Sequence, residues 1–198
     1  AYAERFLERV SEMVLFSVVT TSRLEVQWVT RDVGRYFPEQ WSRFRNGVPM
    51  AEREGDLVGA YYQLLHDIDP VVREQAARDW CRWENAHVAV RSGHRPDPRY
   101  EDPRFRLAFA RIVCHYWHHA AFLEPGALLQ NAGRLAPIPA TLVHGRLDLS
   151  SPLDVPWNLH QTWPGSELIV IDEAGHGAGE PGIRDAVVAA IDRFGAVR

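Results

Sequence analysis

Apolar residues recur along this chain with two different spacings, and the switch between them marks out its organisation. Residues 3–10 read as the end of a helix, and the run Met13-Val14-Leu15-Phe16-Ser17-Val18-Val19 that follows is apolar, β-branched and of strand length. A run of this kind, without alternation, is the pattern of a parallel strand buried on both faces. From about residue 21 to residue 137 the spacing becomes helical and aromatic, with Trp28, Trp41, Tyr61, Trp80, Trp83, Phe105, Phe109 and Trp117 recurring through it. Five or six helices are predicted there, broken at Phe37-Pro38, at Asp69-Pro70 and in the polar Gly/Pro stretch 91–98. Two short apolar runs then return. Residues 140–143 lead into His144-Gly145, and residues 167–171 lead into Asp172-Glu173-Ala174-Gly175-His176. A helix over about residues 153–163 separates them, and a second over 183–194 carries Val187, Val188, Ile191 and Phe194 on one side.

The alternation of strand, helix, strand and helix predicts an α/β fold with parallel strands, interrupted after its first strand by the helical block. Residues 1–20 and 138–198 are the expected α/β core, and residues 21–137 the expected helical domain. In such open sheets the chemistry sits at the carboxyl ends of the strands.

Composition narrows the function. The chain has 198 residues, 46% hydrophobic and 24% charged, with seven Trp, which is too apolar and aromatic for disorder. No apolar run approaches the roughly 18 residues a membrane span needs, so no membrane partner is expected. A formal charge of −4 supplies no broad positive field for a phosphate backbone, and nucleic acid is not an expected partner. All 22 basic residues are Arg. Without Lys there is no phosphate-loop signature, no Schiff-base lysine and no Ser-Lys dyad within the chain. Cys81 and Cys114 are too few for a four-Cys zinc site, and a reducing cytoplasm is the expected compartment.

Two residues stand where chemistry is expected. Asp148 lies just past the strand at 140–143 and His176 just past the strand at 167–171, so adjacent strands would present both from one edge of the sheet. A carboxylate accepting from one imidazole nitrogen fixes the tautomer and leaves the other nitrogen to act as a base. His115, His118 and His119 are close enough on one helix to raise a metal site, but no HExxH pattern accompanies them and no metal is expected. The Trp80, Trp83 and Trp117 stripe reads as helical core, and no cofactor is implied.

The stretch His144-Gly145-Arg146-Leu147-Asp148, with Trp157-Asn158-Leu159-His160, Ala174-Gly175-His176 and Glu180-Pro181-Gly182, resembles the C-terminal part of the proline iminopeptidases, which are α/β-hydrolase serine peptidases. Upstream, Phe37-Pro38 with Trp41, Trp80-Cys81-Arg82-Trp83-Glu84 and Ala110-Arg111-Ile112 with His115-Tyr116 resemble pieces of that family's helical cap. The resemblance covers essentially the whole chain. It implies that Asp148 and His176 are the triad's acid and base and that Glu84 holds the substrate's free amino group. It also implies a small-molecule or peptide substrate with a proline-like amino end.

Three departures accompany the resemblance. No serine fits Gly-x-Ser-x-Gly, so the nucleophile is expected on a complementing N-terminal half, and a start at Ala1 with a helix already under way suggests a fragment. Val113 stands where the family has a second acid, and Phe16 where it has an Arg. The expectation is therefore a serine hydrolase whose chain alone is inactive, with a non-catalytic binding module of the same fold as the alternative. A hydrolase with an Asp nucleophile shares the fold, but the cap motifs speak against it.

Overall fold

The computed structural model describes residues 1–88 and 96–196 of the chain. It divides into two compact units, one formed by residues 1–20 with 125–198 and the other by residues 21–124.

The first unit is built on three parallel strands, β1 (Met13–Phe16), β2 (Ala140–Gly145) and β3 (Ser166–Ile171), in the order β1-β2-β3. Met13 lies opposite Ala140, and Ala140 opposite Ser166. Every residue of the central strand is buried, which is why its sequence shows no polar alternation. Successive side chains leave the two faces in turn. Ala140 and Leu142 pack on one face with Ile138, Leu159 and Trp163, whereas Val143 packs on the other with Ala174 and Ile183. Fully burying a side chain such as Leu142 contributes about 1.5–3 kcal/mol. The Trp163 indole N–H is satisfied there by the Leu135 and Ile138 carbonyls at 2.8 and 3.0 Å.

Short helices α1 (Tyr2–Arg5) and α7 (Ala127–Asn131), with α8 (Asp154–Thr162) and α9 (Ile183–Gly195), complete this unit. The helix expected at residues 3–10 is two separate turns, because Phe6 leaves helical geometry at φ −132°, ψ 61°. The strand expected to reach Val19 stops at Phe16. Ser17 takes φ +46°, a left-handed conformation that a strand cannot continue. On α9 the inward face is Ile183, Ala186, Val187 and Ala190, at helical spacing, while Val188 and Ile191 face solvent. The apolar side expected from Val187, Val188, Ile191 and Phe194 is thus rotated toward smaller residues, which let the helix approach the sheet. Residues 125–137, expected within the helical block, belong by their contacts to the sheet unit, since Ala132 and Leu135 are part of its core.

The second unit contains α2 (Arg23–Thr30), α3 (Pro38–Asn46), α4 (Leu57–Leu65), α5 (Pro70–Val88) and α6 (Pro103–His118). Local signals start each of them. Ser22 accepts from the Glu25 N–H while Glu25 reaches back to Thr21, a capping-box arrangement. Asp56 and Asp102 cap α4 and α6, and Pro38, Pro70 and Pro103 occupy first helical positions where a missing N–H costs nothing. The core is aromatic, with Phe44 stacked on Tyr61 at 4.7 Å and Trp80 and Trp83 packed beside them. The Tyr61 hydroxyl donates to the Phe44 carbonyl at 2.6 Å, and the Trp83 N–H to Val29 at 3.0 Å. Of the break expected at 91–98, residues 91–95 lie outside the described residues.

Candidate active site

The loops that leave β2 and β3 run against each other beyond the carboxyl ends of the strands. Arg146 N–H donates to the Ile171 carbonyl at 3.0 Å and Leu147 N–H to Ala174 at 2.9 Å, so the two loops are joined by their backbones. Gly145 is required at this crossing. A β-carbon there would lie 2.3 Å from the carbonyl oxygens of both Ala174 and Gly175.

Three residues further on, the Asp148 side chain turns inward and is 2% exposed. Its Oδ1 accepts from the backbone N–H groups of Ser150 and Ser151 at 3.0 and 2.9 Å. Its Oδ2 accepts from His176 Nδ1 at 2.9 Å. A buried carboxylate is tolerated only when its oxygens are paired, and both are paired here. His176 is one-third exposed in its side chain, 34%. With Nδ1–H committed to Asp148, the basic lone pair of the imidazole is on Nε2.

The histidine is held by its own backbone as well. Glu180 accepts from the N–H of Gly175 through one oxygen and from that of Gly177 through the other, both at 2.9 Å, so one carboxylate straddles His176. The Ser17 hydroxyl, at the end of β1, donates to the His176 carbonyl at 2.8 Å. Sequence reasoning missed this role of Ser17. The signal would have been a polar residue placed at the end of an otherwise apolar strand, level with the two loops. In the sequence Glu180 stands out only as part of a motif, although its spacing to two glycines hints at a side chain folded back on a turn.

Phe16 ends β1 and is 44% exposed. Glu84 and Val113 belong to the helical unit, on α5 and α6. Glu84 is not a surface acid. Its side chain is 17% exposed and lies 3.4 Å from Nε2 of the buried His87. Val113 is half-buried. His115, His118 and His119 pack with Tyr62 and Phe122 as an aromatic group, and among the described residues no cluster of His, Cys, Asp and Glu suited to a metal is found. Trp80 and Trp83 are core side chains, and Trp117 meets Trp80 edge-on at 5.7 Å. Among the described residues no helix is long and apolar enough to cross a membrane.

A parallel sheet with flanking helices, a helical insertion after its first strand and an acid and a histidine in successive strand-end loops together define a C-terminal portion of an α/β hydrolase. In sequence the chain is similar to proline iminopeptidases. It is 44% identical over 197 residues to a probable proline iminopeptidase of Streptomyces coelicolor, matching 98% of this chain and 60% of that protein. It is 38% identical over 196 residues to the proline iminopeptidase of Xylella fastidiosa strain Temecula1, covering 98% and 62%. To the proline iminopeptidase of Arabidopsis thaliana it is 34% identical over 199 residues, covering 100% and 52%. The chain thus spans 52 to 62% of the length of these curated relatives. Among solved structures, a 2-hydroxy-6-oxo-6-phenylhexa-2,4-dienoate hydrolase from Rhodococcus sp. strain RHA1 aligns with a TM-score of 0.43 at 19% identity, over 97% of this chain and 58% of that one. No family model matches the chain.

Proposed function

We propose that this chain carries the acid and the base of a serine hydrolase of proline iminopeptidase type, which releases an N-terminal proline or cleaves a related small amide or ester. The observation that carries the reading is the 2.9 Å bond from His176 Nδ1 to the buried Asp148 carboxylate, set on the loops of adjacent parallel strands. His176 Nε2 takes the proton from a serine hydroxyl as its oxygen attacks the substrate carbonyl carbon. Asp148 stabilises the imidazolium, which then gives that proton to the leaving amine as the C–N bond breaks. Water, deprotonated by the same nitrogen, releases the acyl group and restores the serine.

No serine of the 198 residues fits Gly-x-Ser-x-Gly, so the nucleophile is assigned to polypeptide outside this sequence, a complementing N-terminal half. The chain by itself is therefore proposed to be inactive. On motif grounds Glu84 receives the substrate's ammonium group. Phe16 and Val113, apolar where the family is charged, make that recognition less polar. The helical unit, expected over residues 21–137 and compact over residues 21–124, is proposed as the cap of the enzyme. The two cysteines are free, in keeping with a cytoplasmic setting.

The test is a chimera in which this chain replaces the matching segment of the Streptomyces coelicolor relative. Proline arylamide hydrolysis is expected from the chimera and not from the chain alone. His176→Ala is expected to lower kcat by about a thousandfold or more. A folded chimera whose turnover survives that substitution would remove His176 from the mechanism, and one that binds substrate without turnover would favour a non-catalytic binding module.

A further inference from the structure

His144 lies in the middle of this network and is assigned no role by the triad reading. It is the fifth residue of β2 and is 0% exposed. Its two ring nitrogens make different bonds. Nδ1 faces the backbone N–H of Val18 at 3.3 Å, and since that group can only donate, Nδ1 must be the unprotonated nitrogen. Nε2 faces the Ser151 carbonyl at 2.7 Å, and since a carbonyl can only accept, Nε2 must carry the hydrogen. The surroundings therefore select one neutral tautomer. The same N–H lies 3.6 Å from Asp148 Oδ2, the oxygen that receives His176.

The contacts close on themselves. The Ser151 hydroxyl donates to the Val18 carbonyl, and the Ser151 N–H donates to Asp148. Val18 follows Ser17, whose hydroxyl holds the His176 carbonyl. The end of β1 and the loop after β2 are thus joined through one imidazole, and the loop after β3 is tied to them by Ser17 and Asp148. Doubly protonated, the ring would bring two N–H groups to face each other at Val18, and a charge would enter a dry site. Burial opposes this by pushing the His144 pKa below the ordinary histidine value, against the smaller upward pulls of the Ser151 carbonyl and Asp148.

We infer that His144 is a positioning residue: as a neutral Nε2–H imidazole it joins the end of β1 to the loop bearing Asp148 and thereby sets the carboxylate that aligns His176. The inference rests on the reading of Asp148 and His176 as acid and base, and the two can be tested apart.

The experiment is nitrogen-15 NMR of histidine side chains in the 198-residue chain, with the imidazole N–H protons followed alongside. In the unsubstituted chain His144 is expected to show the shifts of a neutral Nε2–H ring, unchanged from about pH 8 to about pH 6, across the range where ordinary histidines titrate. His176 is expected to show a downfield Nδ1–H proton bonded to a carboxylate, which Asp148→Asn abolishes. His144→Leu should lose most of that signal. His144→Gln, whose amide can still donate to Ser151, should retain it. A folded His144→Leu chain with the His176 signal intact overturns the inference and leaves the acid–base pair standing. An Asp148→Asn chain with the signal intact overturns both. Should His144→Leu fail to fold, the unsubstituted chain and His144→Gln decide. An Nδ1–H tautomer or a charged His144 ring at about pH 6, or loss of the signal in His144→Gln, overturns the assignment.

Discussion

Gly145 and Ala174 meet backbone to backbone, with so little room that a β-carbon on Gly145 would lie 2.3 Å from the Ala174 carbonyl oxygen. Neither atom belongs to a flexible side chain, so the clash cannot be relieved by a rotamer change. Gly145→Ala is expected to destabilise the chain by about 1–3 kcal/mol, the usual range for overpacking, and to push apart the loops bearing Asp148 and His176. Urea unfolding measures the first effect. A midpoint unchanged from the parent would show that the loops separate freely.

Glu180 holds the His176 turn through two charge-assisted bonds to backbone N–H groups. Glu180→Ala leaves both N–H groups to water. Amide hydrogen exchange at Gly175 and Gly177 is expected to accelerate by about tenfold or more, with little change on β2. Equal protection in parent and variant would mean that the turn is held elsewhere, for instance by Ser17.

Cys81 and Cys114 are both buried in the helical unit. Burial, with a smaller push from Glu84, drives the Cys81 thiol up to about 12, and burial drives Cys114 well above its ordinary value. The reactive species is the thiolate, so neither cysteine is expected to react with a disulfide reagent at neutral pH in the folded chain. Both should react in denaturant. A fast-reacting thiol in the native chain would contradict the packing of α5 on α6.

His144 makes stability depend on pH in a definite direction. Its pKa is lower folded than unfolded, where it is about 6.5, so the unfolded chain binds the proton more readily. Its contribution is complete above about 6.5 and is lost as the pH falls from there through the folded value. Unfolding free energy measured by urea titration should therefore decline between about pH 7.5 and about pH 5.5. The decline should be shallower in His144→Gln, which has no proton to gain, and equal slopes would show that His144 takes up its proton as readily folded as unfolded.

The sequence by itself determined the elements whose signals are local. Proline can open a helix but not continue one, and α3, α5 and α6 begin at Pro38, Pro70 and Pro103. The unbroken apolar runs before His144 and from 168 to 171 could only be buried strands, and they form β2 and β3. Asp148 and His176 were recognisable as a pair because the side of a parallel sheet on which a strand-end loop emerges follows from strand direction alone.

What only the tertiary structure decided is which surfaces meet. The local periodicity of α9 marks an apolar side, but the face that docks is the one whose small residues fit the sheet, Ala186 and Ala190 among them. Residues 125–137 have helical spacing like the block before them, yet Ala132 and Leu135 find their partners in the sheet unit. A histidine inside an apolar strand looks the same in sequence whether it merely fills space or joins segments distant along the chain. His144 acquires its place from Val18, 126 residues away, and from Ser151 and Asp148 across a turn. A hydrogen bond needs two atoms about 3 Å apart, and for groups so distant along the chain that separation is set by the packing of the whole sheet.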